Sequence, residues 1–398
     1  MKPPLQAVSY NGLLALFVAA VLTAGCDGGE PGEPAPEAGA PQTQTASQPT
    51  EASLPPAVEH PPAVDPAVTA LIEQLASPRA GRRVEAAEAL APMREKAAPA
   101  VEALAGLLSD ADASVRASAA RALGWIGPPA SPAAAPLMAL LDDTVVDVRA
   151  RAAFALGRLD PQAAAPAIPK LITLLQSDVV DVRRRAATAL GPLGTTDPQA
   201  VLPALVAATR HADVGVRNEA ILAIKTLGAD ARAAAGAIAA VVTGEADPRV
   251  RKHAALTLGR IDPDPAVAVP ALIRGVGDRD EKTRFESVIS LSMLGADAAA
   301  ATPALLAAMS DPVERIRDVA VPLAFRRMGS AAVPPLAAVL RDSQSPHRPQ
   351  AVMALRMLGT LDGEVVALLT EAARDDDPQV RQATRAPLPR AATIPLGP

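Results

Sequence analysis

The sequence is poor in the residues that most often carry chemistry. It has one cysteine, one tryptophan, one tyrosine, four phenylalanines and four histidines in 398 residues. A single cysteine, Cys26, excludes an internal disulfide and a cysteine-built metal site. The four histidines, His60, His211, His253 and His347, are spread too widely to converge on one metal ion. There is no Gly-rich phosphate loop, no G-x-S-x-G elbow and no recognisable pair of catalytic carboxylates. The chain therefore reads as a non-enzyme with no cofactor. Charge is equally uninformative about catalysis. The net charge of −5 resides in the first 63 residues, where Lys2 faces Asp27, Glu30, Glu33, Glu37, Glu51 and Glu59. The remainder is balanced, which argues against nucleic acid as a partner.

What is abundant is repetition. A β-branched residue followed by arginine returns about every 33 residues, at Val115-Arg116, Val148-Arg149, Val182-Arg183, Val216-Arg217, Val250-Arg251, Ile316-Arg317 and Val380-Arg381. Thr283-Arg284 fills the remaining slot. After each arginine, apolar residues recur at +3, +4, +7 and +10, as in Ala119, Ala120, Leu123 and Ile126. That spacing predicts an amphipathic helix whose stripe must be covered by its neighbours. Prolines at 99, 169, 203, 270, 303 and 335 predict the openings of the preceding helices. Asp247-Pro248, Asp311-Pro312 and Asp377-Pro378 predict N-caps. Gly127, Gly194, Gly228 and Gly295 predict left-handed helix ends.

Residues 112–127, Asp-Ala-Ser-Val-Arg-Ala-Ser-Ala-Ala-Arg-Ala-Leu-Gly-Trp-Ile-Gly, resemble the HEAT-like repeat first named in phycobilisome lyases. The resemblance extends over residues 64–386 in nine or ten copies. It implies an all-α fold, a right-handed α-solenoid of stacked antiparallel helix pairs. It also implies an Asp/Arg ladder near the turns, here Asp112, Arg116, Arg149, Arg183, Asp213, Arg217, Asp247 and Arg251. The copy at Arg83-Val84-Glu85 departs from the pattern and reads as a cap. The copy at His347-Arg348-Pro349 reads as an altered turn with a shortened second helix.

Second-helix positions +2, +5 and +9 point away from the stripe. They yield the candidate partner-binding residues Arg121, Trp125, Arg151, Phe154, Arg158, Leu222, Leu256, Arg260 and Ile289. The expected partner is a protein or peptide, met by a monomer or by a subunit of a larger complex. The alternative is a lyase-like or otherwise cofactor-handling enzyme built on the same repeat. The chain has no His-Glu dipeptide, which the resemblance requires for iron-dependent hydroxylases of this architecture.

The N-terminal region reads as an address. Residues 13–22 are uncharged and apolar, too short for a bilayer span but suited to a secretory signal. Thr23-Ala24-Gly25-Cys26 resembles a bacterial lipobox, with Thr23 where leucine is usual. The expected organisation is a signal peptide at 1–25, lipidation of Cys26, a Pro/Gly/Glu-rich tether at 26–63 and a Pro-rich tail at 387–398. These predict an exported protein, lipid-anchored on the periplasmic side of a bacterial envelope membrane.

Overall fold

A computed structural model describes residues 65–358 and 362–388, all within the compact unit Pro62–Pro398. The signal peptide, Cys26, the tether, His60 and residues 389–398 lie outside the described residues. Every described element is helical. The helices form ten antiparallel pairs, the upper of the two expected numbers, in an all-α solenoid. The second helices of the pairs are Ala80–Leu90, Ala113–Ile126, Val146–Leu156, Val180–Leu193, Val214–Leu227, Pro248–Leu258, Glu281–Leu294, Arg315–Ala320 continued by Val321–Met328, Arg348–Met357, and Pro378–Ala383. Each packs on the one before and the one after.

The stripe read from sequence is the core. Val115, Ala119, Ala120, Leu123 and Ile126 are all buried, and so are their equivalents in the third to sixth repeats. Burying one leucine side chain stabilises by about 2–3 kcal/mol, and no single pair offers enough partner surface to do so. Glycines eight residues after the arginine set the spacing between second helices. A methyl group at Gly157 would lie 2.6 Å from the Cα of Ala189, and at Gly124 2.9 Å from the Cα of Ala155.

Aspartate caps start several second helices as expected, but Asp311 is not the cap of the eighth, since its carboxylate is held by Arg284 in the turn before it. Asp112 accepts from the Ser114 amide at 2.8 Å, Asp247 from Arg249 at 2.8 Å and Asp377 from Gln379 at 2.8 Å. Proline behaves less uniformly. Pro169 and Pro303 open their helices, but Pro203 and Pro270 lie inside Pro198–Ala208 and Pro265–Val276. There Asp197 and Asp264 cap a helix that begins a turn earlier. Elsewhere the proline divides the first helix into a 3-10 segment and an α segment, as at Pro128–Ala133 and Ala134–Ala139.

Gly127, Gly228 and Gly295 take positive φ of 80°, 59° and 58°, but with ψ of −142°, −136° and −127° they lie outside the left-handed helical region expected of them. Gly194 does not take positive φ: its φ is −63°, and its amide still donates to Leu190. In the eighth repeat one turn of π geometry, Arg315–Ala320, inserts an extra residue. Gly329 consequently follows Arg317 by twelve positions, where Gly127 follows Arg116 by eleven. The insertion rotates the helix, so Pro322, expected to face outward at +5, is buried. The ninth repeat has the shortened second helix expected of it, starting at Arg348 itself.

Candidate functional site

The repeating arginines do two jobs. All but Arg348 turn Nη1 back onto the carbonyl six residues earlier, as Arg116 does to Asp110 at 2.8 Å and Arg251 to Glu245 at 3.0 Å. In most copies the Nε and Nη2 fork then grips a carboxylate of the next repeat, whereas the fork of Arg317 holds Asp318 on its own helix. Arg116 holds Asp143 at 2.8 and 3.0 Å, and Arg217 holds Glu245 at 2.6 and 2.9 Å. Arg251 holds Asp278 and Arg284 holds Asp311 in the same way. The hydrogen bonds from Arg116, helped by the Val145 amide, outweigh burial and hold the Asp143 carboxyl below the usual range.

This corrects the ladder expected from sequence. Asp112, Asp213 and Asp247, four residues before their arginines, are not its rungs. Their side-chain oxygens are committed to helix amides: Ser114, Val216 and Arg249. The rungs are the residues six before each arginine, one repeat further on. Arg83, in the atypical first copy, keeps the role by pairing with Asp110. Arg149 and Arg183 keep only the backward bonds to Asp143 and Ser177.

Along the outward face, Trp125 and Phe154 meet at 5.7 Å between ring centroids, tilted by 56°. Arg158 lies over both rings, 4.8 Å from Trp125 and 5.5 Å from Phe154. It is fixed there by a 2.7 Å bond from its Nε to the Gly124 carbonyl. Arg185 covers Phe154 at 5.7 Å and Arg94 covers Trp125 at 5.6 Å. The result is an alternating row of cation and ring across the first four repeats. Two depressions flank it. One of about 380 Å³ is lined by Arg94, Trp125, Gly127 and Arg158. Another of about 360 Å³ is lined by Phe154, Arg158, Arg185 and Leu222.

Arg94 was not among the sequence candidates. It occupies the helix-end slot that holds Gly127, Gly228 and Gly295 elsewhere, eleven residues after its repeat arginine. Its backbone has φ 52° and ψ −132°, a conformation that costs a side-chain-bearing residue about 1–3 kcal/mol. Asp262 fills the same slot in the sixth repeat at φ 48°, where Arg232 grips it. The sequence signal for Arg94 was present: a cation where the pattern calls for glycine.

The other candidates are dispersed. Arg121 and Arg151 face a separate depression of about 270 Å³, and each is paired, with Glu88 at 3.2 Å and Asp147 at 3.1 Å. Leu222, Leu256 and Ile289 are half-buried, and Arg260 is exposed. Beside these apolar residues the middle of this face holds titratable groups, His253 and Glu286 among them. His253 donates from Nδ1 to Asn218 at 2.6 Å. Burial first, then Lys252, Lys225 and Arg249, lowers its pKa from 6.5 to about 4. Burial raises the Glu286 carboxyl, against the pull of Lys252, Arg315 and other cations, and lowers the Lys225 ammonium. Among the described residues no cluster of three His, Cys, Asp or Glu could hold a metal ion.

A family model described as HEAT repeats matches residues 68–157, 134–225, 168–243, 235–324 and 302–387. An engineered protein of known structure superposes with a TM-score of 0.54 at 21% identity, covering 80% of this chain and 97% of that one. Importin beta superposes with a TM-score of 0.48 at 18% identity, over 80% of this chain and 50% of importin beta. The complex of CpcE and CpcF of phycocyanin lyase from Nostoc sp. PCC7120 gives 0.39 at 26% identity, over 64% of this chain and 98% of that one. A search of the curated proteins returns no match.

Proposed function

The chain belongs to the HEAT-repeat proteins, and on that premise we propose that it is a non-catalytic scaffold, lipid-anchored at a bacterial envelope membrane, that captures a protein partner. The observation that carries this reading is the row Arg94, Trp125, Arg158, Phe154 and Arg185. Arginine and aromatic side chains held rigid at the surface are the usual anchors of protein interfaces. Here the rings fix the guanidinium groups in place, so little side-chain freedom is lost on binding.

The anchor rests on the apolar run at 13–22 and on Cys26 after Thr23-Ala24-Gly25. One acyl chain binds a bilayer marginally, so a stable anchor needs further acylation at the new N-terminus. Residues 27–63 then keep the repeats clear of the headgroups.

The test is a crosslinking pull-down from native envelopes with the tagged full-length protein, crosslinks being mapped onto the repeats. One dominant partner touching residues 94–185 is the expected result. Phe154→Ser with Arg158→Ser should abolish it while helicity stays unchanged and the protein still melts cooperatively. Undiminished capture by that variant defeats the reading of the face. Metabolic labelling with a fatty-acid analogue tests the anchor separately, since Cys26→Ser must lose the label and leave the membrane fraction.

A further inference from the structure

The third and fourth repeats break the ladder in a coordinated way. In four other repeats the arginine fork holds a carboxylate through two hydrogen bonds, and Arg83 and Arg348 are also paired forward with Asp110 and Asp375. Arg149 and Arg183 have no such partner among the described residues. The rung position one repeat on is Ser177 for Arg149 and His211 for Arg183. Both side chains are occupied within their own turns. Ser177 Oγ accepts from the Val179 amide at 3.3 Å, and His211 Nδ1 accepts from the Asp213 amide at 2.9 Å. The Nε of Arg183 is buried with no hydrogen-bond partner. A buried donor left unpaired costs about 1–3 kcal/mol and calls for an acceptor.

The neighbouring carboxylates do not supply it. Asp147 pairs with Arg151, Asp181 with Arg185 and Asp142 with Lys170. Asp178 is exposed and forms no ion pair among the described residues. The same two repeats also lack the capping aspartate. Val145 and Val179 stand in its place and make no cap bond. Val145, Val146 and Val180 are 38%, 39% and 37% exposed. Two cationic forks without counter-carboxylates thus sit beside a patch of exposed valine.

We infer that the turn edge of the third and fourth repeats is a second docking site, which takes an extended acidic segment of a partner protein bearing two carboxylates three residues apart with aliphatic side chains beside them. The chemistry follows from the chain's own rungs, in which this fork selects carboxylate four times with both oxygens engaged. The spacing follows from packing. Adjacent helices lie about 8–10 Å apart, and in an extended segment of polyproline II geometry, with three residues per turn, side chains three residues apart share one face about 9 Å apart. The site is distinct from the aromatic row. Arg183 and Arg185, the nearest members of the two sets, are two residues apart on Val180–Leu193 and so point to opposite sides of that helix.

The test uses the full chain and two fluorescein-labelled peptides, read by anisotropy. One carries the core Val-Asp-Val-Leu-Asp-Val and the other has both aspartates replaced by asparagine. The acidic peptide should bind, and the asparagine peptide at least tenfold more weakly. Ser177→Asp with His211→Asp fills both forks from within the chain. It should weaken the acidic peptide at least tenfold while Trp125 emission and helical circular dichroism stay unchanged. Ser177→Asp alone gives a partial loss, a check should the double variant misfold. Equal binding of the two peptides, no binding of either, or binding untouched by the filled forks overturns the inference. So does equally tight, fork-dependent binding to anionic phospholipid vesicles, which would make the ligand a lipid phosphate instead.

Discussion

The guanidinium of Arg94 lies 5.6 Å from the ring centroid of Trp125, and it is carried there on a backbone at φ 52°. Glycine occupies that slot at Gly127, Gly228 and Gly295. Replacing Arg94 with glycine removes about 1–3 kcal/mol of strain. It forfeits about 0.5–1 kcal/mol of cation–π attraction and a similar amount through glycine's unfolded-state freedom. The balance predicts a small gain in stability, up to about 1 kcal/mol, together with weaker partner capture. Thermal melting and the emission of Trp125, the chain's one tryptophan, read the two effects independently. A variant that is less stable and still captures the partner would contradict the role given to Arg94.

Helix spacing offers a second measurement. Gly157→Ala drives a methyl group to 2.6 Å from a neighbouring Cα, a backbone atom that cannot swing aside. Overpacking of this kind costs about 1–3 kcal/mol. Gly81→Ala, with nothing within 4 Å of the new methyl, should instead stabilise by up to about 0.5–1 kcal/mol. Parallel melts of the two alanine variants should move in opposite directions.

The ladder predicts unequal arginines. Arg251→Gln removes two bonds to Asp278 and leaves that carboxylate unpaired in a mostly buried setting, at a cost of about 3–5 kcal/mol. Arg149→Gln loses only bonds to turn carbonyls, about 1–2 kcal/mol. Urea unfolding followed by circular dichroism should rank them in that order. Equal losses would mean that the forward pairing contributes nothing.

Acid should act first at His253. Its folded pKa is about 4, against 6.5 for the unperturbed group. Between those values the unfolded chain binds the proton and the folded chain does not. Stability from this group is therefore complete above pH 6.5 and falls as pH drops toward 4. Because the ring is only partly shielded from water, we expect about 1–2 kcal/mol over that window. His253→Asn should flatten the dependence between pH 6.5 and 4, and a variant retaining the full slope would assign it to another group.

The helices, their caps and the buried stripe were legible because they are local: each depends on residues within one turn or one helical face. The ladder was half legible. Arginine recurrence showed plainly, but Asp112 lies closer in sequence to Arg116 than Asp143 does, and only a folded turn frees the distant carboxylate while occupying the near one. The π turn at Arg315–Ala320 was hidden for a related reason. An insertion of one residue leaves composition and apolar spacing almost intact, and announces itself only in the delayed Gly329. Trp125, Phe154 and Arg158 could be placed on one face by counting. Arg121 could not be separated from them, because its carboxylate partner Glu88 comes from the preceding repeat, whereas Arg151 pairs with Asp147 one turn back on its own helix.

The ladder arginines that pair forward reach across one repeat boundary and no further. Cohesion along this chain is therefore a matter of successive links, with no distant pair of residues depending on one another directly. A whole unit gained by duplication would meet compatible surfaces on both sides. The number of units is thus a quantity that gene-level copying can change without redesigning any interior, and the reach of the scaffold can be lengthened or shortened like a chain of standard parts.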